Sequence, residues 1–275
     1  MPRFSAINLS YISIMHLKEL YCYPIKSLNG IALHQAVVTD TGLPLDRNWM
    51  LVDEQNQFIT RRTFPKLALL QVSLENDHLV VESDRGQLMI RLRYEENATV
   101  IESKVWNSPI TGREVSAAAH DFFSSFLGKN VRLIQQDFSI PRIERIPPKE
   151  TFTPSSLADS FPIHVIGTAS LNFLNEHLNP TIHAGYFRPN IVIETNIPFE
   201  EDHLDILSFE NVTLQKAKLC GRCKMVNVDP SNGEVRNDVL KTLAAFRTFE
   251  NSIKLGVLFY VTRKGNLSIG ETYLG

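Results

Sequence analysis

Hydrophobic and polar positions alternate in short blocks along the first third of the chain. From Met15 to about Val100, apolar runs such as 31–38 and 49–52 are separated by turn residues. Runs that recur roughly every 8–12 residues, with turns between them, are typical of a barrel or sandwich of antiparallel strands. This part of the chain is therefore predicted to be β-structure. Residues 1–14 are expected to form a tail or to precede the true start of the protein.

The apolar spacing changes to a helical period in the middle of the chain. In residues 115–127, apolar side chains follow an i, i+3, i+4, i+7 pattern that forms one stripe of a helix. Gly128 stands where a glycine that ends a helix belongs. A second helix is expected to begin from a cap at Thr168 or Ser170, because hydroxyl side chains accept hydrogen bonds from the first backbone amides of a helix.

The rest of the second half is predicted to consist of strands, with one more short helix capped by Asn237. Between the two halves, residues 138–159 contain four prolines and little periodicity. Such a segment indicates a long irregular connection, either a domain boundary or a flap over an active site. The predicted strands of the second half lie at 162–166, 188–193, 212–219, 225–228, 254–262 and 267–273.

Composition limits the classes of protein that the chain can belong to. The 275 residues are 43% apolar and include 16 Phe, 7 Tyr and 2 Trp, which excludes disorder as the main state. Because 28 basic residues accompany 30 acidic ones, the chain lacks the concentrated positive charge of a nucleic-acid-binding protein. No apolar run approaches the roughly 18–20 residues of a membrane span, so no contact with a membrane is expected.

The cysteines carry more information than the composition. Three cysteines cannot form a disulfide framework, so a reducing, cytoplasmic location is expected. Cys220 and Cys223 enclose Gly221 and Arg222, and this spacing fits half a zinc site, a thioredoxin-like redox pair or two inert core residues. Arg222 favours a fourth interpretation, because a guanidinium beside a thiol stabilises the thiolate. A thiolate beside a fixed positive charge suits a soft transition metal or a sulfur-transfer step.

Basic residues stand at the ends of several predicted strands. Lys26 and Ser27 lie at a strand-to-turn junction, and Arg47, Arg62 and Arg188 lie in strand-rich segments. Each fits a surface residue when taken alone. Several arginines near apolar strands are unusual, however, because buried guanidiniums need a partner anion and their planar forks suit phosphate. The eight histidines show no metal-ligand spacing, and no dinucleotide, P-loop or common hydrolase motif is present.

Taken together, seven segments resemble the MOSC family, which is named after the C-terminal domain of molybdenum cofactor sulfurases. Their order and spacing cover about residues 17–275. The resemblance implies a β-rich α+β fold, with an N-terminal β-barrel-like domain at 15–136 and a C-terminal MOSC β-barrel domain with a few short helices at 137–275. The segments are 23–27, 42–49 and 60–65 for the first domain, and 187–192, 220–223, 229–233 and 246–247 for the second.

Within that family, the architecture is similar to the stand-alone reductases of N-hydroxylated compounds, the amidoxime-reducing components and their bacterial counterparts. This resemblance implies a molybdenum cofactor (Mo-molybdopterin), whose metal is bound by one pterin dithiolene and one protein cysteine. Cys223 is the expected metal ligand and catalytic residue, and the role of Cys220 is left open. The residues expected to hold the pterin and its phosphate are Lys26, Ser27, Arg47, Arg62, Ser160, Arg188, Asn190, Gly221 and Arg222.

The resemblance implies an oxidoreductase that reduces small N-hydroxylated or N-oxide compounds by two electrons. No cysteine follows Cys223 that could ligate an iron–sulfur cluster, so the electrons are expected from a separate electron-transfer protein. The first alternative is a non-catalytic carrier that holds the cofactor, or a persulfide on Cys223, without turnover. The second is a β-barrel interaction module whose site has decayed. Substrate, electron donor and oligomeric state stay open.

Overall fold

The structure is a computed structural model that describes residues 15–140, 142–148 and 150–274. Within these ranges the chain forms nineteen β-strands, three α-helices and four short 3-10 helices. The predicted N-terminal tail lies outside the described residues. No helix of the described part is long and apolar enough to cross a membrane. The α-helices are α1 (Ala117–Leu127), α2 (Thr168–Asn175) and α3 (Val239–Arg247).

The strands of the described ranges form five sheets, and the predicted β-rich fold with few helices is confirmed. The strands are β1 (Leu17–Cys22), β2 (Ile31–Leu33), β3 (Gln35–Val38), β4 (Trp49–Val52), β5 (Gln71–Glu75), β6 (His78–Ser83), β7 (Gly86–Arg91), β8 (Val100–Val105), β9 (Ser108–Glu114), β10 (Arg132–Gln136), β11 (Arg142–Ile146), β12 (Thr151–Ser155), β13 (Ile163–Gly167), β14 (Ile191–Ile193), β15 (Ile206–Ser208), β16 (Thr213–Gly221), β17 (Thr248–Phe249), β18 (Ser252–Arg263) and β19 (Gly265–Ser268).

The largest sheet combines strands from both ends of the chain. Its order is β15-β16-β18-β13-β14-β1-β2, with β17 paired to β18. Leu20 of β1 lies opposite Ile191 of β14 on one side and Leu33 of β2 on the other. Because β1 and β14 are neighbours, the turn after β1 comes close to the segment that precedes β14. The sheet spans the predicted boundary at residue 136, and the division into two domains stays a prediction.

A second core lies between the smaller sheets and α1. The four-stranded sheet has the order β4-β10-β9-β8, and the three-stranded sheet has the order β5-β6-β7. Trp49 on β4, Leu79 on β6 and Phe123 on α1 are all fully buried in one apolar cluster. On β7 the buried residues alternate with exposed ones, as expected for a strand with one face on a core. The sequence predicted β-structure here from short apolar runs separated by turn residues.

Helix α1 confirms the helix and the glycine cap predicted from the apolar stripe. The hydroxyl of Ser116 accepts a hydrogen bond from the backbone amide of Ala119 at 3.1 Å, so it satisfies one of the free donors of the first turn. Gly128 ends the helix in the left-handed conformation, with φ 66°, and its amide donates to the carbonyl of Ser124. The helix buries Phe123 and Phe126 against the second core.

The predicted caps of α2 are wrong, because the tertiary structure uses those side chains elsewhere. The helix begins at Thr168, and no side chain at its cap position accepts a hydrogen bond. The amide of Ala169 donates instead to the hydroxyl of Thr195, which comes from a distant loop. The hydroxyl of Ser170 donates at 2.7 Å to the buried carboxylate of Glu201. A buried carboxylate that needs a donor thus takes the hydroxyl away from the helix end.

Helix α3 likewise begins without its predicted cap. Asp238 occupies the cap position, its side chain makes no capping hydrogen bond, and Asn237 lies one residue earlier. The side-chain oxygen of Asn227 accepts from the amide of Leu240 at 2.8 Å and so satisfies a donor of the first turn. Both substitute caps come from other segments of the chain, a loop for α2 and the end of a 3-10 helix for α3, which the sequence of the helix itself cannot indicate.

Residues 138–159 were expected to be irregular but contain the hairpin of β11 and β12. The two strands pair from Arg142 opposite Ser155 to Ile146 opposite Thr151. Of the prolines in this hairpin, Pro154 lies within a strand, β12, and that strand has only one partner. A proline is tolerated there because its missing amide removes no central hydrogen bond.

We predict that Ser116→Ala lowers the free energy of unfolding by about 1 kcal/mol, because it removes the side-chain cap of α1. Urea denaturation of the wild type and the variant measures the change. The control is Ser125→Ala, at an exposed position of the same helix whose hydroxyl caps nothing. If both variants unfold at the wild-type urea concentration, the cap contributes nothing to stability.

Candidate functional site

A cleft of about 400 Å³ lies where several loops of the chain meet. The turn after β1 and the segments before β4 and β14 contribute one side. The segment before β13 and the end of β16 contribute another. Every residue that the sequence analysis assigned to a cofactor site lines this cleft: Lys26, Ser27, Arg47, Arg62, Ser160, Arg188, Asn190, Gly221, Arg222 and Cys223.

Lys26 is a buried ammonium at the side of the cleft, with 6% of its surface exposed. Its Nζ donates to the carbonyl of Leu157 at 2.9 Å and to the carboxylate of Asp159 at 2.6 Å. Burial lowers the pKa of Lys26, and the carboxylate of Asp159 opposes that shift. Although burial acts in the opposite direction, Lys26 keeps the pKa of the Asp159 carboxyl below its usual range. The two side chains therefore form an ion pair at the cleft.

Arg47 and Arg188 both lie against the ring of the buried Tyr23. Their guanidinium carbons are 4.5 Å and 4.3 Å from the ring centroid. Arg47 pairs with the carboxylate of Asp46 and donates to the side-chain oxygen of Asn190 at 3.1 Å. Stacking and hydrogen bonds fix the orientation of these guanidiniums before any ligand arrives.

Three residues of the cleft adopt a backbone conformation that side chains rarely take. Ser27, Arg47 and Arg188 have φ values of 74°, 51° and 54°. The left-handed region is costly for residues other than glycine, and such residues concentrate at binding and catalytic sites. The loops around this cleft therefore hold their residues in place at some cost to stability.

Positive charge exceeds negative charge among the described residues that line the cleft. The cations are Lys26, Arg47, Arg62, Arg188, Lys218 and Arg222, and the single carboxylate is that of Asp159. Burial, together with the neighbouring guanidiniums of Arg61 and Arg47, lowers the pKa of Arg188 well below its ordinary value. A cluster of this kind is stabilised when an oxyanion binds among the guanidiniums.

The two cysteines of the C-x-x-C pair have different surroundings. Cys223 is exposed, Cys220 is half-buried, and all three cysteines of the chain are free thiols. The Nη1 of Arg222 contacts the sulfur of Cys220 at 2.8 Å, whereas the Nη1 of Arg62 lies 3.9 Å from the sulfur of Cys223. Arg222 therefore lies beside the thiol of Cys220 and not beside that of Cys223. Arg62, far away in sequence, is the cation beside Cys223.

The local fold around the pair also differs from the expected strand. Cys220 is the next-to-last residue of β16. Residues 225–228 were predicted as a strand, but they belong largely to a 3-10 helix (Lys224–Asn227). No α-helix begins at the pair, as one would in a thioredoxin-like site. Among the described residues, no group of three or more His, Cys, Asp and Glu side chains could hold a metal ion.

Sequence reasoning missed several side chains of the cleft, including Trp106 and His164. Trp106 donates its indole N–H to Asp159 at 3.1 Å, and the guanidinium of Arg62 lies 4.5 Å above its ring. It comes from the turn between β8 and β9, which no motif indicated. His164 was treated as one of eight unremarkable histidines, yet it is buried with its Nε2 3.4 Å from Arg222. Neither residue has a sequence signal, because both reach the cleft only through the tertiary fold.

Comparison with known protein families assigns the chain. The sequence matches the profile of the MOSC N-terminal beta barrel domain over residues 14–130 and that of the MOSC domain over residues 153–273. The two matches cover most of the 275 residues. The chain therefore belongs to the MOSC family, as the sequence motifs predicted.

Curated relatives extend the similarity over nearly the whole chain. The "Mitochondrial amidoxime reducing component 2" of Rattus norvegicus is 30% identical over 93% of this chain and 81% of the relative. The protein of the same name from Bos taurus is also 30% identical, with the same coverage. The human "Mitochondrial amidoxime-reducing component 1" is 27% identical over 92% of this chain and 80% of the relative. The resemblance to amidoxime-reducing components is confirmed.

We predict that the imidazole of His164 titrates well below the usual pH range of a histidine, because burial and the nearby guanidinium of Arg222 lower its pKa. Titration of the ring by NMR measures this pKa. Arg222→Gln is expected to raise the pKa, since it removes a repelling charge. Arg62→Gln is the control, because Arg62 is not among the charges that act on His164. An unchanged pKa in Arg222→Gln would contradict the electrostatic account.

Proposed function

We propose that this protein is a molybdenum-cofactor-dependent oxidoreductase that reduces small N-hydroxylated or N-oxide compounds, with electrons from a separate donor protein. One observation carries the proposal. The exposed thiol of Cys223 lines a cleft whose described side chains include six cations and one carboxylate. A soft ligand for a metal and a surplus of cations for a phosphate are what a metal-bound pterin phosphate requires.

The residues of the cleft fit such a group in three respects. Cys223 supplies one thiolate, so the remaining ligands of the metal would belong to the cofactor. Lys26 and Arg188 are buried cations and Arg47 is a half-buried one, and an oxyanion would stabilise all three. The buried Nε of Arg222 has no hydrogen-bond partner among the described residues, which supports an acceptor on a bound ligand.

The reaction breaks an N–O bond, consumes two electrons and two protons, and releases water. When bound, the cofactor would supply the two-electron redox chemistry. The residues of the cleft would bind and orient the cofactor. The guanidinium of Arg62 lies 3.9 Å from the sulfur of Cys223, and Asn190 holds the guanidinium of Arg47 in its orientation.

The names of the relatives support the class of substrate. The rat, bovine and human proteins are called amidoxime-reducing components, and an amidoxime is an N-hydroxylated compound. The same cleft would also suit a protein that carries the cofactor without turnover, so the experiment below has to separate binding from reduction. The cytoplasmic location and the absence of nucleic-acid and membrane partners stay predictions.

We predict that Cys223→Ser, produced in a host that makes the cofactor, loses more than tenfold of its bound molybdenum and of its amidoxime reduction. Residues that only orient a metal ligand are worth about 10–100-fold, and a ligand should contribute at least as much. Metal analysis and turnover of benzamidoxime with a chemical reductant measure the two effects. Cys220→Ser is the matched control, because its hydroxyl can still accept from Arg222.

The outcomes separate the hypotheses. Full activity in Cys223→Ser would exclude the cysteine as ligand. Wild-type protein that binds molybdenum and pterin but reduces no N-oxygenated compound would indicate the non-catalytic carrier. Wild-type protein that binds neither would indicate an interaction module whose site has decayed.

A further inference from the structure

A second cleft, of about 330 Å³, lies beside the first and shares one residue with it, Arg188. Its inner part is formed by the buried side chains of Tyr23, Arg61 and Arg188. Its rim includes the exposed residues Gln71 and His183. Apart from Arg188, none of its lining residues lines the first cleft, so the two clefts present different chemistry to solvent.

Arg61 is a buried cation that the first cleft does not use. It is 2% exposed, its Nε donates to the carbonyl of Ser27 at 3.0 Å, and its Nη2 donates to the side-chain oxygen of Asn29 at 2.8 Å. Both acceptors are neutral, and within the described ranges no carboxylate lies within ion-pair distance of Arg61 or Arg188. Burial lowers the pKa of Arg61 to about 10, so the group remains charged near neutral pH.

The hydroxyl of Tyr23 is a second group without a partner. The residue is 3% exposed, and its oxygen makes no hydrogen bond to any described residue. Burial raises the pKa of Tyr23 to about 12, against the opposing effect of the Arg188 and Arg47 guanidiniums, so the hydroxyl keeps its proton. Buried hydroxyls normally have a partner, and this one lies among the residues of the second cleft.

The remaining lining residues define the class of ligand. No carboxylate occurs among the described residues of the second cleft, and Asn29 and Gln71 contribute amides. The rings of Tyr21 and Tyr23, 6.3 Å apart, and the buried Pro230 provide apolar surface. Two guanidiniums without an acid favour an oxyanion, and the apolar walls favour a flat body attached to it.

We propose that the second cleft binds a small oxyanion carried on a flat apolar body, such as an aryl phosphate, through Arg61 and Arg188. The site shares only Arg188 with the proposed cofactor site, and it does not depend on the proposed function. The ligand supplies the negative charge that these two buried guanidiniums lack, and its body lies against the half-buried ring of Tyr21.

The test is titration calorimetry of the full chain with phenyl phosphate, and one rim position supplies a matched pair of variants. The Nδ1 of His183 accepts from the amide of Gly185 at 3.2 Å, and both Asp and Asn can replace that acceptor. His183→Asp adds a negative charge to the rim and is expected to weaken binding at least about tenfold by repulsion. His183→Asn, which differs only in charge, is expected to bind within about threefold of the wild type.

Two further variants keep the result interpretable. Gln71→Glu adds a carboxylate at another point of the rim with no change in shape, and it is expected to weaken binding in the same way. Arg222→Gln removes a cation of the first cleft alone and is expected to leave binding unchanged. Absence of binding to the wild type, equal affinities in His183→Asp and His183→Asn, or loss of binding in Arg222→Gln would each overturn the proposal.

Discussion

Positive charge buried without enough negative charge is the constraint on which the functional part of this structure depends. Arg47, Arg61 and Arg188 are gathered around the single ring of Tyr23, and Asp46 is the carboxylate that pairs with one of them. Guanidiniums removed from water are costly unless an anion accompanies them. The protein stabilises this arrangement with carbonyl acceptors, aromatic stacking and a rigid sheet. A bound oxyanion is the component that would complete it.

The topology explains how such a cluster forms. Strand β1 inserts beside β14 in the large sheet, so residues near the start of the chain meet residues about 170 positions later, as at Leu20 and Ile191. The turn after β1 supplies Lys26 and Ser27, and the segment before β14 supplies Arg188. Left-handed backbone conformations at Ser27 and Arg188 turn the two segments toward each other. The carbonyl of Leu28, in the turn after β1, then accepts a hydrogen bond from the guanidinium of Arg188. The backbone strain is confined to these two turns, and the large sheet that contains β1 and β14 holds them in place.

The sequence predicted the fold class, because apolar periodicity and motifs are local signals, and the residues that it singled out for a cofactor all line one cleft. Helix α1 shows this: an apolar stripe, Ser116 and Gly128 all lie within one short segment. Predictions failed where a distant group decided the outcome. Ser170 serves Glu201 instead of a helix end, and Arg62 rather than Arg222 lies beside Cys223. The second cleft had no motif, since its arginines meet only after the sheets are assembled.

The central claim is that the cationic cleft and Cys223 together hold a pterin phosphate with its molybdenum. The most direct measurement is the molybdenum and pterin content of the wild-type chain purified from a host that makes the cofactor. The account predicts close to one molybdenum and one pterin per chain, both retained through gel filtration. Wild-type protein that folds but retains neither would contradict it.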